Sequence, residues 1–226
     1  MHFFNLLKSI DDILYEIALW LVLYPLTLWR TLRHPRQMME YGAAQLKRPP
    51  SEQYRDSLSP PIFLFLTVFV AAMLELSFVG ENKLIQDTDG MAGLISDEPS
   101  LIGLRVIAFA TFPIFMAVRT VVLSGGKLGR DSLQQPFFAQ CYATVPFTLI
   151  LSLAGTVAQL HSDWAPPLAV AMVTAAIVGF LALEAGWFAK IAGKGLGSGL
   201  WNAVVGLVQC LLFLTALIWM LGNNGI

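Results

Sequence analysis

Arg119-Thr120-Val121-Val122-Leu123 closes a hydrophobic run, Ser124-Gly125-Gly126-Lys127-Leu128-Gly129-Arg130-Asp131 turns polar, and Pro136-Phe137-Phe138-Ala139-Gln140-Cys141-Tyr142-Ala143-Thr144-Val145-Pro146 re-enters apolar sequence. Two apolar runs joined by a short, basic, glycine-containing turn read as two membrane spans with a loop between them. Further apolar segments extend on both sides. They cover residues 60–80 and 101–123 before the turn, and 136–160, 165–190 and 200–221 after it. Each is long enough to cross a hydrocarbon core of about 30 Å at about 1.5 Å per residue. The expected fold is all-α, a polytopic transmembrane helical bundle with five spans, and residues 60–222 form its membrane domain.

The composition agrees. Of 226 residues, 56% are hydrophobic and 13% charged, and the mean hydropathy is +0.66, far too apolar for an ordinary water-soluble domain. A net charge of −1 lacks the basic excess that meets a phosphate backbone, which argues against a nucleic-acid partner. Cys141 and Cys210 each lie within an apolar run, where a small buried thiol is expected, and two sulfurs make neither a disulfide framework nor a zinc set. No metal and no cofactor are expected. The start Met1-His2-Phe3-Phe4 lacks the basic region, short apolar core and small-residue cleavage site of a signal peptide, so internal spans are expected to drive insertion.

Residues 1–34 read as an amphipathic helix that lies in the interface or re-enters the membrane. Ile13 to Trp29 is nearly all apolar, but Glu16 sits near its start, Pro25 interrupts it, and Tyr15, Trp20, Tyr24 and Trp29 run along its whole length. Aromatic residues of a spanning helix gather at its two ends, so an interfacial helix is favoured over a sixth span, with a kink at Pro25. Residues 35–59 form a basic connector, with a short helix expected between Arg36 and Leu46. Arg30, Arg33, Arg36, Lys47 and Arg48 are candidate contacts for lipid head groups, although the same cations serve as a topology signal. Ser59 is expected to cap the first confident span, with Pro60 or Pro61 in its first turn.

Cations cluster at 30–55, at Lys127 and Arg130, and at Lys190 and Lys194, whereas residues 81–100 carry Glu81, Asp87, Asp89, Asp97 and Glu98 against Lys83. The positive-inside rule places the basic loops in the cytoplasm and the C-terminus outside.

Four charges fall within the spans: Glu75, Arg105, Arg119 and Glu184. A charge deep in a bilayer requires a partner or a wet cavity. Matching depths suggest that Glu75 pairs with Arg105 near the outer side, and Arg119 with Glu184 near the inner side. Such pairs act as helix-to-helix pins or as gates on a polar path. His161 and Asp163 flank a span on the outer side and read as a solvated turn rather than an acid–base pair. The glycines from Gly193 to Gly199 lack the order of a phosphate-binding loop and follow a span instead of a strand. They are expected to make a tight turn. Gly179, Gly186 and Gly206 would let helices approach closely.

The glycine-rich turn, the phenylalanines, Cys141-Tyr142-Ala143 and then Pro146 within the next span resemble the signature region of the Ypt-interacting-protein (YIP) membrane domain. Gly193 to Gly199 followed by Leu200-Trp201-Asn202-Ala203 is similar to that family's later cytoplasmic turn. The resemblance spans about residues 60–222, with Tyr142 and Pro146 its motif residues. It implies a five-span, non-enzymatic membrane protein that organises lipid or partner proteins at its cytoplasmic face. The short amphipathic start is more like the bacterial branch, whose members are often called permeases, which implies the inner membrane. The alternative is a small permease or lipid transporter that uses Pro113, Pro146 and Pro166-Pro167 as helix breaks. Membrane lipids are the expected partners, within a homo-oligomer or a larger membrane complex.

Overall fold

The computed structural model describes residues 2–80 and 98–223. The acidic run at 81–97, with Lys83, and the last residues 224–226 lie outside them. Seven α-helices occupy the described residues: α1 His2–Arg33, α2 Pro35–Gln45, α3 Pro60–Val79, α4 Glu98–Leu123, α5 Arg130–Ala158, α6 Ala165–Ala192 and α7 Leu196–Asn223. No strand occurs among them. Six are long and apolar enough to cross a membrane by length and composition, α1 included through Ile13–Arg33. The chain is a polytopic helical integral membrane protein.

Pro136 to Pro146 lies within the central helix, α5. α5 packs against α2, α3, α4 and α6, and α7 closes the bundle against α4 and α6. From Ala139 to Thr148 every residue of α5 is buried except Pro146, which is half-buried. A helix apolar on all sides belongs in a core rather than against lipid on one face. Phe112, Phe147 and Phe180 tie α4, α5 and α6 together, with ring centroids 5.0 Å apart between Phe112 and Phe147 and 4.9 Å between Phe147 and Phe180. Aromatic pairs at such separations add to the packing gained by burial.

Several boundaries differ from the hydropathy reading, each for a local reason. α5 begins at Arg130 rather than Pro136 because its first turn is polar. Ser132 Oγ accepts the Gly129 N–H at 3.0 Å and donates to the Lys127 carbonyl at 2.7 Å, and Asp131 favours the positive helix end. α7 begins at Leu196, so only Gly193, Lys194 and Gly195 remain of the expected glycine turn. Gly193 adopts φ 61° as the C-cap of α6, and the Lys194 N–H reaches back to the Ala189 carbonyl at 3.1 Å, a Schellman closure that favours glycine. Gly199 is inside α7, where a Cβ would run into the Ala185 carbonyl of α6. Ser59 makes no side-chain cap at α3, while Pro60 does occupy the first turn. Pro25, Pro113 and Pro146 all lie within continuous helices, and Pro166 and Pro167 fall in the first turn of α6, where a missing N–H is no loss. The helix breaks on which a permease reading leans are absent from the described residues.

α1 meets other long helices at separate points along its length. Glu16, Leu19 and Trp20 share a cavity with Pro50, Tyr54, Pro61 and Ile62. The Tyr24 ring meets Phe63 at 5.6 Å, the Leu58 N–H donates to Thr27 Oγ1 at 3.1 Å, and Leu32 lines a small cavity with Pro146, Ile150 and Gly179. Over that length α1 passes across the N-terminal end of α3, then α5, then α6. Tyr15, Leu21, Val22 and Trp29 are exposed on its outer face.

Candidate functional site

The crossing helix and α2 form a hairpin, and its seat is Tyr142. That side chain is completely buried. Its hydroxyl donates to the Leu58 carbonyl at 2.7 Å and lies 3.3 Å from Ser57 Oγ, which itself donates to the Tyr41 hydroxyl at 3.1 Å. Its ring packs against Phe63 at 5.8 Å and against Gly42, where a Cβ would come within 2.9 Å of the ring carbons. One residue of α5 thus holds α2, the 50–58 segment and α3. Tyr54 fastens the same junction: its hydroxyl donates to the Gly42 carbonyl at 2.9 Å and its N–H to Gln45 Oε1 at 3.3 Å. Burial pushes the Tyr54 hydroxyl well above the ordinary phenol range, so it stays a proton donor in alkaline solution. Its backbone sits at φ 53°, a left-handed conformation that a bulky residue adopts only when its surroundings hold it there.

The turn of the hairpin at His34 faces α6. His34, Pro35, Arg36, Gln37, Ala182 and Leu183 line an open groove of about 420 Å³. Arg36 is so close to Gly186 that a Cβ there would collide with the guanidinium. Arg33 stacks its guanidinium 5.7 Å from the Trp29 ring centroid. Arg30 is already engaged, donating to the Asp56 carbonyl at 3.0 Å. Lys47 and Arg48 are exposed on the turn beyond the far end of α2. The five cations singled out as lipid contacts are therefore not one patch: Arg33 and Arg36 flank the hairpin turn, and Lys47 and Arg48 stand an α2 length away.

Of the four intramembrane charges, Arg105 and Glu75 form an ion pair between α4 and α3. Gln159 Nε2 donates to the other oxygen of Glu75 at 2.8 Å, which brings in the end of α5. Arg119 and Glu184 do not meet. Arg119 donates through Nε and Nη2 to Asn202 Oδ1 of α7 at 2.9 and 2.7 Å, and Asn202 Nδ2 is anchored on the Ser198 carbonyl at 2.7 Å. Glu184 turns instead to α5, where its Oε2 accepts from Gln140 Nε2 at 3.0 Å. The expected pairing fails because depth alone was matched, while each side chain has an uncharged amide directly across its own helix contact.

Gln140, Gln159 and Asn202 are the residues that the sequence reading missed. An uncharged amide placed within an apolar span was the available signal. His161 and Asp163 are exposed in the turn between α5 and α6. Pro146 lines the small cavity under Leu32 and Pro35, so both motif residues contact the hairpin region. No group of three or more metal-ligating side chains occurs among the described residues. No family model matches the chain, and no curated protein and no solved structure matches it.

Proposed function

We propose that this protein is a non-enzymatic, YIP-like inner-membrane protein that binds anionic phospholipid through the α1–α2 hairpin lying on the cytoplasmic side of a five-span bundle. The observation that carries the reading is the groove at the hairpin turn. It sets the cation of Arg36 beside the apolar Ala182 and Leu183 of α6, with Arg33 just before the turn on Trp29, so a phosphate can meet the guanidinium while the acyl chains follow α6. The crossing of α1, with its aromatic residues spread along an exposed apolar face, supports an interfacial placement. The continuous helices at Pro113 and Pro146 and the side-chain partners of all four intramembrane charges favour this reading over a permease with a polar path. Partner proteins or further copies of the chain would gather at the same face, where Ile114, Arg130, Leu133 and Phe137 border a groove of about 520 Å³.

Reconstitution with defined lipids tests it. The Arg33→Ala/Arg36→Ala double variant is expected to bind anionic phospholipid about 30-fold more weakly than the native protein, two cations at roughly 1 kcal/mol each. Lys47→Ala/Arg48→Ala is expected to change binding less, since those cations lie away from the groove. Equal binding by the Arg33/Arg36 variant, or no native preference for anionic over zwitterionic lipid, contradicts the reading.

A further inference from the structure

We propose that Glu184 and Gln140 form a proton-binding site in the membrane core, with Glu184 protonated at neutral pH and its Oε1–H donating to Gln140 Oε1. The observation is a pair of orphaned oxygens. Glu184 and Gln140 are both 0% exposed, and Gln140 Nε2 donates to Glu184 Oε2 at 3.0 Å. Glu184 Oε1 and Gln140 Oε1 are buried with no hydrogen-bond partner among the described residues. A single hydrogen between two acceptor atoms on groups already joined by one hydrogen bond satisfies both at once. A proton on Glu184 Oε1 does this and closes a two-bond acid–amide ring. An ionised Glu184 leaves both oxygens unmet and a charge buried in a low-dielectric core, the most unfavourable arrangement available. Turning the Gln140 amide over does not remove the need. It would set oxygen against oxygen, and again a proton must lie between them.

No cation from the surrounding helices takes the place of the proton. On α2, Arg36 lies against Gly186 and Glu40 is bound to Lys190 of α6 at 2.6 Å on the exposed rim. On α4, Arg119 is held by Asn202. The titratable groups nearest in sequence on α5, Cys141 and Tyr142, pack in the hairpin cluster with Leu23 and Phe63. Cys210 of α7 lies among the phenylalanines of a second core cluster. Phe180 and Phe188, one turn to either side of Glu184 on α6, are buried and apolar. Loss of the proton would therefore leave a carboxylate among aromatic rings at the α5–α6 contact, which makes that contact a pH-sensitive latch.

Infrared spectroscopy of the reconstituted full-length protein reads the site directly. At neutral pH the native protein is expected to give a protonated-carboxyl C=O band that is lost in Glu184→Gln and kept in Glu75→Gln. Gln140→Leu is expected to shift that band to higher frequency, because the amide hydrogen bonds are gone. A native spectrum without the band at neutral pH, or a band that survives Glu184→Gln, overturns the proposal. Should Glu184→Gln not fold, an unshifted band in Gln140→Leu overturns it equally.

Discussion

Tyr142→Ala is expected to detach the α1–α2 hairpin and to destabilise the protein by about 3–5 kcal/mol, the range for removing a large buried aromatic side chain. Three attachments are lost at once: the bond to the Leu58 carbonyl, the contact with Ser57, and the ring surface on which Gly42 rests. Tyr142→Phe keeps the ring and removes only the hydroxyl, and is expected to cost about 1–3 kcal/mol because the Leu58 carbonyl is left buried and short of its donor. Thermal unfolding in detergent gives the ranking. Trypsin gives the location: Arg48 and Arg55, in the segment that Tyr142 pins, are expected to be cut much faster in the alanine variant, with the α5–α6–α7 portion still intact. Uniform loss of protection along the chain would mean that Tyr142 supports the bundle generally and not the hairpin.

Arg105→Ala is the second large effect. It removes the guanidinium from Glu75, which is 5% exposed, and breaking a buried ion pair from one side destabilises by about 3–5 kcal/mol. Arg105 keeps 23% of its side-chain exposure, so solvent screens part of the interaction and about 3 kcal/mol is expected. Gln159, which also donates to Glu75, limits the damage further. The double variant Glu75→Gln/Arg105→Gln is expected to be more stable than Arg105→Ala alone, since it leaves no bare carboxylate. A double variant less stable than either single change would show that the two residues contribute independently, and would overturn this view of them as a pair pinning α3 to α4.

The five-span core was legible in the sequence because its determinant is gross: long apolar runs separated by basic or acidic turns. α2 was legible as well: a short helix expected between Arg36 and Leu46 is found at Pro35–Gln45. Ends of helices were less so. The α5 and α7 helices extend beyond their apolar runs, and hydropathy measures what lipid tolerates, not where hydrogen bonds begin. Side-chain partners were the least legible. Glu75 and Arg105 meet, yet Arg119 and Glu184 each choose an amide, because helix rotation about its axis decides which residues face one another and depth does not report it. Tyr142 stood out as a motif residue, but its task of holding the hairpin depends on Gly42, Ser57 and Leu58, which arrive from elsewhere in the chain and carry no signal of their own.

The placement of α1 on the basic-loop side is the claim on which the lipid-binding reading depends, and sidedness of thiol labelling tests it most directly. Cys141 and Cys210 are both buried, so single cysteines introduced at Asp11, Lys127 and Ser162 can be read against a low background with a membrane-impermeant reagent on sealed vesicles of known orientation. Asp11→Cys is expected to label from the same side as Lys127→Cys and from the side opposite Ser162→Cys. Labelling of Asp11→Cys from the Ser162 side would make α1 a sixth span and contradict the account.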